Sequence, residues 1–333
     1  MADTKRLLIL TRDRANVTFR QRIEPYLPPL AARGIATEVT ELADSAWARR
    51  RQFRAASLFD GVLLHRKTLT CWDALALDGA ARRVIYDFDD AVMFQARSPD
   101  TPHPGRLRRF RRTMKRTHLA IAGSPVLADH ARSAGAARVE IVPTGLDIRR
   151  FAPKADYGAS GPLRLVWIGS RSTLKQLEPL KPALAAIGRA IPQATLRIVA
   201  DARLDVEGLR VEFVPWSLDA EGRLLAEADI AIAPLPDTPF TRGKCGFKIV
   251  QYMAAGLPVV TSPVGVNADY VRPEESGLWA TSVDEWTAAV RRLATDAALR
   301  ERMGRAGRRR AEAEFDFAAL ATRVTGLIAE TLA

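Results

Sequence analysis

Short apolar runs that alternate with longer segments of helical periodicity constrain this fold more than any other feature. The apolar runs are RLLILT, ATEVTEL, DGVLLHR, RVIYDFD and THLAIAGS in the first half, and LRLVWIG, ATLRIVA, VEFVP, IAIAPL, PVVTS and GLWA in the second. Strands that alternate with helices build a mostly parallel sheet with both faces covered. Because the alternation restarts in mid-chain, the sequence predicts two α/β domains of similar size.

The alternation of apolar runs and helical segments is interrupted at the predicted boundary between the two domains. Residues 151–162, FAPKADYGASGP, combine Pro, Gly, Ser and Ala without periodicity, which is typical of a linker. We expect an amino-terminal domain over residues 1–155, a carboxyl-terminal domain over residues 156–316, and a last helix over residues 317–333 that returns to the first domain. Ser282, followed three residues later by Glu285, predicts a capping box at a helix start.

The charge balance favours an anionic partner. Lys and Arg number 50 against 38 Asp and Glu, a formal net charge of +12, which favours nucleotides, nucleic acid or acidic lipid surfaces. Cys71 and Cys245 are the only cysteines and lack metal-finger spacing, so a disulfide framework is not expected. The first apolar run is too short for a signal peptide, and no run approaches about 18 residues. We therefore expect a cytoplasmic protein without a membrane span.

The stretch TRGKCGFKIVQYMAAG predicts a site for an anion. A helix opened by Gly243 and Gly246 would carry Lys244 and Lys248 at its N-terminus, where cations are unfavourable unless an anion lies opposite. Helix N-termini at the carboxyl edge of a parallel sheet present free N–H groups to phosphates. The alternative is that both lysines are solvated surface charges.

A second candidate phosphate site follows the first strand of the same domain. The turn WIGSRSTLKQL carries Gly169, Ser170, Arg171, Thr173 and Lys175. Two basic turns at one edge of a sheet suit a diphosphate, because helix N–H groups and fixed positive charge meet there. Gln251, one turn beyond Lys248 on the same helix face, could hydrogen-bond a sugar hydroxyl.

These segments together resemble the carboxyl-terminal, nucleotide-sugar-binding domain of GT-B glycosyltransferases, in particular the retaining family 4 type. The resemblance rests on WIGSRSTLKQL, FVPW, LLAEADIAIAPL, GKCGFKIVQYMAAGLPVVTSPVGVN and ESGLW, with weaker similarity at TFRQRIEPYLPPLAARGIATEV, YDFDDAV and IVPTGLD. It implies the GT-B fold, in which two Rossmann-like domains face each other across a cleft. It also implies transfer of a sugar from a nucleoside diphosphate donor, with retention at the anomeric carbon.

The resemblance further implies which residues contact the donor. In that family an acidic residue, followed by seven others and a second glutamate, frames the donor; here the two positions are Gly243 and Gln251, so both acids are replaced. The implied donor contacts are Gly169, Ser170, Thr173, Lys244, Gly246, Gln251 and Trp216, the last of which could equally pack in the core. Arg171, Lys175 and Lys248 would stabilise the departing diphosphate as catalytic groups, without a metal or a cofactor.

Polar side chains near strand ends in the amino half are candidates for the acceptor side. They are Arg14 and Arg20 after the first strand, His65 at the end of VLLH, and Asp87, Asp89 and Asp90 in YDFDDAV. The acidic cluster is also similar to the DxD metal motif of GT-A transferases, in which carboxylates hold a divalent ion on the diphosphate. The two-domain pattern favours a metal-independent site. A solvated basic loop and loop-capping aspartates are the structural alternatives.

Residues 106–116, RLRRFRRTMKR, predict a basic amphipathic helix. Seven of these residues are basic, and Leu107, Phe110 and Met114 recur at helical spacing. Such a helix is compatible with binding to an anionic membrane that carries a lipid-linked acceptor. In the alternative, the three apolar residues pack in the core. No nucleic-acid-binding motif accompanies the helix, so nucleic acid is not an expected partner.

Three functions are compatible with the sequence. The favoured one is a glycosyltransferase with a nucleoside diphosphate sugar donor and a sugar or lipid-linked acceptor, located in the cytoplasm or at the inner face of the membrane. A nucleotide-sugar epimerase on the same fold would bind the same donor without an acceptor. A catalytically degenerate nucleotide-sugar-binding protein would account for the two replaced acids.

Overall fold

The computed structural model describes residues 4–158 and 161–333 and divides into two compact units. The first unit comprises the described residues of Met1–Gly145 together with Thr238–Cys245 and Phe317–Ala333. The second comprises those of Leu146–Asp237 and Gly246–Asp316. The first break therefore falls before the predicted boundary at residue 155.

The first unit contains a parallel six-stranded sheet in the order β2-β1-β3-β4-β5-β6. Its strands are β1 (Lys5–Thr11), β2 (Ile35–Glu41), β3 (Gly61–His65), β4 (Val84–Phe88), β5 (Leu119–Ala122) and β6 (Val139–Ile141). The helices between them are α1 (Val17–Arg22), α2 (Leu27–Ala32), α3 (Ala46–Arg54), α4 (Cys71–Asp78), α5 (Pro104–Met114) and α6 (Pro125–Ser133).

The second unit repeats this design with the order β12-β11-β10-β7-β8-β9. Its strands are β7 (Arg164–Ile168), β8 (Thr195–Ala200), β9 (Arg210–Pro215), β10 (Ile230–Ala233), β11 (Val259–Thr261) and β12 (Gly277–Trp279). The later helices are α7 (Arg171–Leu174), α8 (Lys181–Ala190), α9 (Glu221–Ala226), α10 (Pro239–Arg242), α11 (Phe247–Ala254), α12 (Val266–Tyr270), α13 (Val283–Thr295), α14 (Ala297–Glu314) and α15 (Phe317–Leu332). Of these, α10 and α15 belong to the first unit. Short 3₁₀ turns occur at Glu24–Tyr26, Ala55–Leu58, Ile148–Arg150 and Glu178–Leu180.

Both faces of each sheet are buried, as parallel pairing requires. In β1, Leu7 and Ile9 contribute to one core with α1, α2 and α15. Leu8 and Leu10, which point to the opposite face, contribute to a second core with α3, α4, α5 and α6. Because successive side chains alternate between faces, a continuous apolar run such as LLIL supplies both cores.

The predicted linker is packed onto the second unit over its described part. Phe151 and Tyr157 are buried, and the Tyr157 hydroxyl donates to the backbone oxygen of Gly256 at 2.6 Å. The buried side chains of Phe151 and Tyr157 fix this segment against the second unit, so its described part is not a flexible linker. The rest of the predicted segment includes positions 159 and 160, which lie outside the described residues.

Two helix starts show how well local signals predict boundaries. The capping box at Ser282 is confirmed, since the Ser282 hydroxyl accepts from the Glu285 N–H at 3.2 Å and the Glu285 carboxylate accepts from the Ser282 N–H at 3.1 Å. The predicted helix start at Gly243 is wrong. Gly243 instead ends α10, and α11 begins after Gly246, which adopts the left-handed φ of 62° that favours glycine. Lys244 therefore precedes the helix, and Lys248 lies in its first turn.

Candidate active site

Two side chains donate hydrogen bonds to one carboxylate in the second unit, that of Glu221, and the Arg150 guanidinium lies 3.5 Å from it. Its Oε2 atom accepts from the Gln251 side-chain amide at 3.2 Å and from the Trp216 indole N–H at 2.9 Å. Glu221 and Gln251 are both about 5% exposed, whereas Trp216 is 38% exposed. Trp216 follows β9, Glu221 opens α9 and Gln251 lies on α11, so the cluster lies at the carboxyl edge of the sheet, where open α/β folds bind ligands.

Sequence reasoning missed Glu221. No local sequence pattern points to Glu221, because it belongs to a different helix from position 251, with which the family glutamate aligns. A glutamate at position 251 would place a second carboxylate against Glu221, and like charges at that distance cannot both ionise readily. Glutamine avoids this repulsion and donates the hydrogen bond instead.

Lys248 lies in the same helix as Gln251 and is half-buried. Its Nζ atom is 4.4 Å from the centroid of the Trp167 ring and donates to the Gln176 side-chain oxygen at 3.3 Å. The cation–π contact and the hydrogen bond fix the position of the ammonium group. A positive charge is thus held at the first turn of α11.

The turn after β7 has the local geometry expected of a tight strand-to-helix connection. A side chain at Gly169 would collide with the Trp167 indole and the Thr173 hydroxyl, so only glycine fits. Ser170 caps α7, with its backbone N–H donating to the Thr173 hydroxyl at 3.0 Å.

The two cations of that turn are exposed. The Arg171 guanidinium donates to the Asp201 backbone oxygen at 3.2 Å, and the Arg171 backbone N–H donates to the Asp201 carboxylate. Lys175 follows α7 directly. Both side chains can reorient toward an anion from solvent, since Lys175 is exposed and the Arg171 side chain is held, among the described residues, only by a neutral carbonyl oxygen.

The first unit contains a separate cleft of about 610 Å³. It is lined by Thr11, Arg12, Asn16, His65, Arg66, Asp90, Arg106, Arg109 and Phe240, among others. His65 is buried, with Nδ1 3.0 Å from the Thr11 hydroxyl oxygen. Burial lowers the pKa of His65 despite the opposing charges of Asp87 and Asp89, so this imidazole is neutral at pH 7.

Two acidic candidates are neutralised at the edge of this cleft. Arg66 lies 3.4 Å from the Asp89 carboxylate and 3.5 Å from that of Asp90. Arg66 also has a φ of 56°, a strained conformation for a residue other than glycine. Lys244 Nζ is 3.1 Å from Asp90 Oδ1 and 4.5 Å from the Phe240 ring centroid. The structure thus places Lys244 in the first unit, whereas the sequence grouped it with the donor contacts of the second.

Asp87 also differs from its predicted position. Its side chain is buried and forms a bidentate ion pair with Arg22, with Nε–Oδ1 at 2.9 Å and Nη2–Oδ2 at 2.7 Å. A carboxylate saturated in this way supports the fold rather than a ligand. Arg14 and Arg20 are exposed, but it is Arg12 of the same loop that lines the cleft.

The acidic cluster does not assemble a metal site in the part of the chain that the structure describes. Among these residues, no three or more His, Cys, Asp or Glu side chains are grouped so that they could hold a metal ion. Asp87 faces Arg22, while Asp89 and Asp90 face Arg66 and Lys244.

The basic helix α5 turns its apolar residues inward. Phe110 and Met114 are buried and Leu107 is partly buried, all in the core beneath the sheet. The core therefore occupies the apolar face of this helix, as in the alternative that the sequence left open, and contact of its basic residues with an anionic membrane stays a prediction. No helix in the described residues is long and apolar enough to cross a bilayer.

Comparison with known proteins shows similarity to glycosyltransferases, mainly in the carboxyl-terminal half of the chain. Residues 162–296 match the model of the family described as Glycosyl transferases group 1. The chain is 28% identical over 201 residues to a glycogen synthase of Mycobacterium tuberculosis, a match that covers 56% of this chain and 47% of the relative. It is 31% identical over 193 residues to a GDP-mannose-dependent alpha-(1-6)-phosphatidylinositol dimannoside mannosyltransferase of the same species, with 54% and 49% covered. The matches thus span about half the length of these relatives.

Similarity to solved structures extends over the whole fold. A sucrose-phosphate synthase from Thermosynechococcus elongatus superposes with a TM-score of 0.77 at 18% identity and covers 98% of both chains. The Anabaena protein HepE, in complex with UDP and glucose, has a TM-score of 0.75 at 18% identity and covers 98% of this chain and 100% of its own. The fold is therefore GT-B. Together with the family match, this confirms the predicted resemblance to GT-B glycosyltransferases of group 1.

Proposed function

We propose that this chain transfers a sugar from a nucleoside diphosphate donor to an acceptor, with retention at the anomeric carbon and without a metal ion. The observation that carries this proposal is the cluster of Trp216, Glu221 and Gln251 at one edge of the second sheet, with Lys248 on the same helix as Gln251. It supplies an aromatic surface, a carboxylate, an amide and a fixed cation. A nucleoside diphosphate requires the same set for its base, ribose hydroxyls and phosphates. HepE, a structural relative, has been solved with UDP and with UDP-glucose.

Each residue has a role in this proposal. Trp216 borders the base, and Glu221 accepts hydrogen bonds from the ribose hydroxyls in place of the family glutamate. Gln251 orients Glu221 through its amide. Lys248, with Arg171 and Lys175, stabilises the charge that develops on the departing diphosphate. The turn of Gly169, Ser170 and Thr173 borders the same phosphates after β7, and the backbone around Gly246 borders them at the start of α11.

The acceptor is proposed to bind in the cleft of the first unit. His65 is neutral there and can exchange hydrogen bonds with a hydroxyl group, while Asp90 and Arg12 flank the opening. The cleft of about 610 Å³ is large enough for one or two sugar rings.

Binding of the nucleotide should be visible as thermal stabilisation. A ligand that binds only the folded protein raises the melting temperature, by a few degrees at about 100 times its dissociation constant. We expect one of UDP, GDP and ADP to do so at equal concentration, and the shift to survive EDTA. Stabilisation that EDTA abolishes would contradict metal independence, and the absence of a shift with all three would favour the degenerate-site alternative.

Glu221 should make nucleotide affinity depend on pH. Burial raises the pKa of Glu221, while the Trp216 hydrogen bond and the Arg150 charge partly oppose this. Ribose hydroxyls donate to the ionised form, so affinity should fall as the pH drops through this raised pKa, above the ordinary value of 4.5. Glu221→Gln should weaken binding about tenfold at pH 7 and flatten the profile. Asp219 is an exposed neighbour, and Asp219→Asn should retain both the nucleotide affinity and its pH dependence. Equal pH profiles for the two variants would show that Glu221 does not contact the nucleotide.

A further inference from the structure

Large apolar side chains are exposed on neighbouring helices of the first unit. Trp47 is 64% exposed, Trp72 71% and Leu75 63%. Trp47 lies on α3, whereas Trp72 and Leu75 lie one turn apart on α4. Isolated exposed apolar residues are ordinary, but two tryptophans and a leucine on adjacent helices mark an interaction surface.

Basic residues share the outward faces of these helices. On α3, Trp47, Arg50, Arg51 and Arg54 follow the i, i+3, i+4, i+7 spacing of one helical stripe, and all four are exposed. On α5, the exposed stripe consists of Arg108, Arg111 and Lys115, the last being the C-cap. The Arg51 guanidinium stacks 3.6 Å from the centroid of the Trp47 ring.

Two ion pairs show that the three helices form one continuous layer. Arg49 on α3 lies 3.3 Å from Asp73 on α4. Asp78 at the end of α4 accepts from Arg116, just after α5, at 2.6 Å and 2.8 Å. These pairs neutralise the acids of the layer. The six outward basic residues form no ion pair with any described residue: Arg50, Arg51, Arg54, Arg108, Arg111 and Lys115.

We propose that this layer, here called the Trp–Arg face, docks on an anionic lipid bilayer. The face is defined by the outward stripes of α3, α4 and α5, with Trp47, Trp72 and Leu75 as its apolar residues. Tryptophan prefers the boundary between headgroups and acyl chains, and juxtamembrane Lys and Arg are attracted to anionic headgroups. The proposal goes beyond glycosyl transfer, and it brings an enzyme of this class to lipid-linked acceptors.

The charge of the face favours a bilayer over a second copy of the chain. If two copies met through this face, six unpaired cations of one copy would lie against six of the other, and the like charges would repel each other. An anionic bilayer neutralises these charges by releasing counterions and receives the tryptophans at shallow depth. The inward orientation of Phe110 and Met114 means that insertion depends on α3 and α4, whereas α5 contributes only charge.

The test is sedimentation of the full chain with vesicles of phosphatidylcholine, with and without phosphatidylglycerol. We expect binding only to vesicles that contain phosphatidylglycerol, and its loss at about 1 M salt, where the screening length is about 3 Å. Arg54→Glu and Arg111→Glu should each weaken binding about fivefold or more. Trp72→Ala should weaken it as well, because the aromatic anchor is removed.

Control variants on other surfaces of the chain test whether vesicle binding depends on the Trp–Arg face or only on the positive charge of the whole protein. Arg291→Glu, exposed on α13, and Trp279→Ala, 42% exposed in the second unit, should bind vesicles like the unaltered chain. Equal losses in all variants, equal binding to both lipid compositions, or a Trp72-dependent dimer in light scattering would each overturn the proposal. Stabilisation by nucleotide, measured without vesicles, should be the same in every variant, so the failure of either proposal can be recognised on its own.

Discussion

Replacement of Lys248 by methionine is expected to lower turnover of the nucleoside diphosphate sugar by about 10²–10³-fold, the range found when one group that stabilises developing charge is removed. The ammonium group is held 4.4 Å from the Trp167 ring centroid and 3.3 Å from the Gln176 oxygen, so little reorganisation precedes the reaction. Methionine retains an unbranched apolar chain against the indole. The change therefore removes charge from the site with little change in packing.

The measurement for this variant is hydrolysis of the donor in the absence of acceptor. The donor used is the sugar nucleotide whose base gives the largest thermal shift. Lys181→Met is the matched control, because Lys181 is a half-buried lysine of the same unit and is paired with Glu178. We expect the control to retain the unaltered rate. If Lys248→Met hydrolysed the donor at that rate too, Lys248 would have no part in stabilising the leaving group, and Arg171 and Lys175 would become the remaining candidates.

The apolar runs predicted the strands well because fully buried parallel strands need side chains for both faces. All the runs named from the sequence contain a strand of the structure. The strand that was not predicted, β6, is an edge strand of three residues, Val139–Ile141, and each of them is only partly buried. A strand this short and half-exposed leaves no continuous apolar run, so its signal is lost among loop residues.

The cluster around Glu221 could be predicted only in part, because its central group comes from another helix. The segment around Lys248 and Gln251 was identified from local spacing, which determines which residues share one helix face. The carboxylate beside Gln251 belongs to Glu221, 30 residues earlier in the chain. Only the packing of α9 beside α11 brings the two together, and no local pattern encodes that packing.

The ion-pair partners in the first unit could not be predicted for a related reason. Local sequence identifies charged residues near strand ends but not the partners that neutralise them. Asp87 was predicted as an acceptor-side candidate, and in the structure Arg22 reaches it from α1. Lys244 was predicted as a donor contact, and in the structure it lies against Asp90. In both cases the partner lies far away in sequence, at a separation of 65 residues for the first pair and 154 for the second.

Loss of the Arg22–Asp87 pair should have the largest effect on stability. The two side chains are 2% and 4% exposed, and Arg22 also donates to the Val142 backbone oxygen at 3.1 Å and to the Thr144 hydroxyl at 3.2 Å. The guanidinium therefore joins α1, β4 and the segment after β6. Burial alone would lower the pKa of Arg22, but the charge and hydrogen bonds of Asp87 outweigh it and raise that pKa, so the guanidinium remains charged.

Arg22→Met should reduce the free energy of unfolding by about 3–5 kcal/mol, because it leaves the Asp87 carboxylate buried without a counterion. The measurement is a urea titration at pH 7, with Arg20→Met as the control, since Arg20 is exposed on the same helix and should lose less than about 0.5 kcal/mol. The double variant Arg22→Met/Asp87→Leu should recover part of the loss, because no unpaired charge then remains in the core. A loss below about 1 kcal/mol in Arg22→Met would mean that the pair behaves like an exposed one, with water reaching the carboxylate.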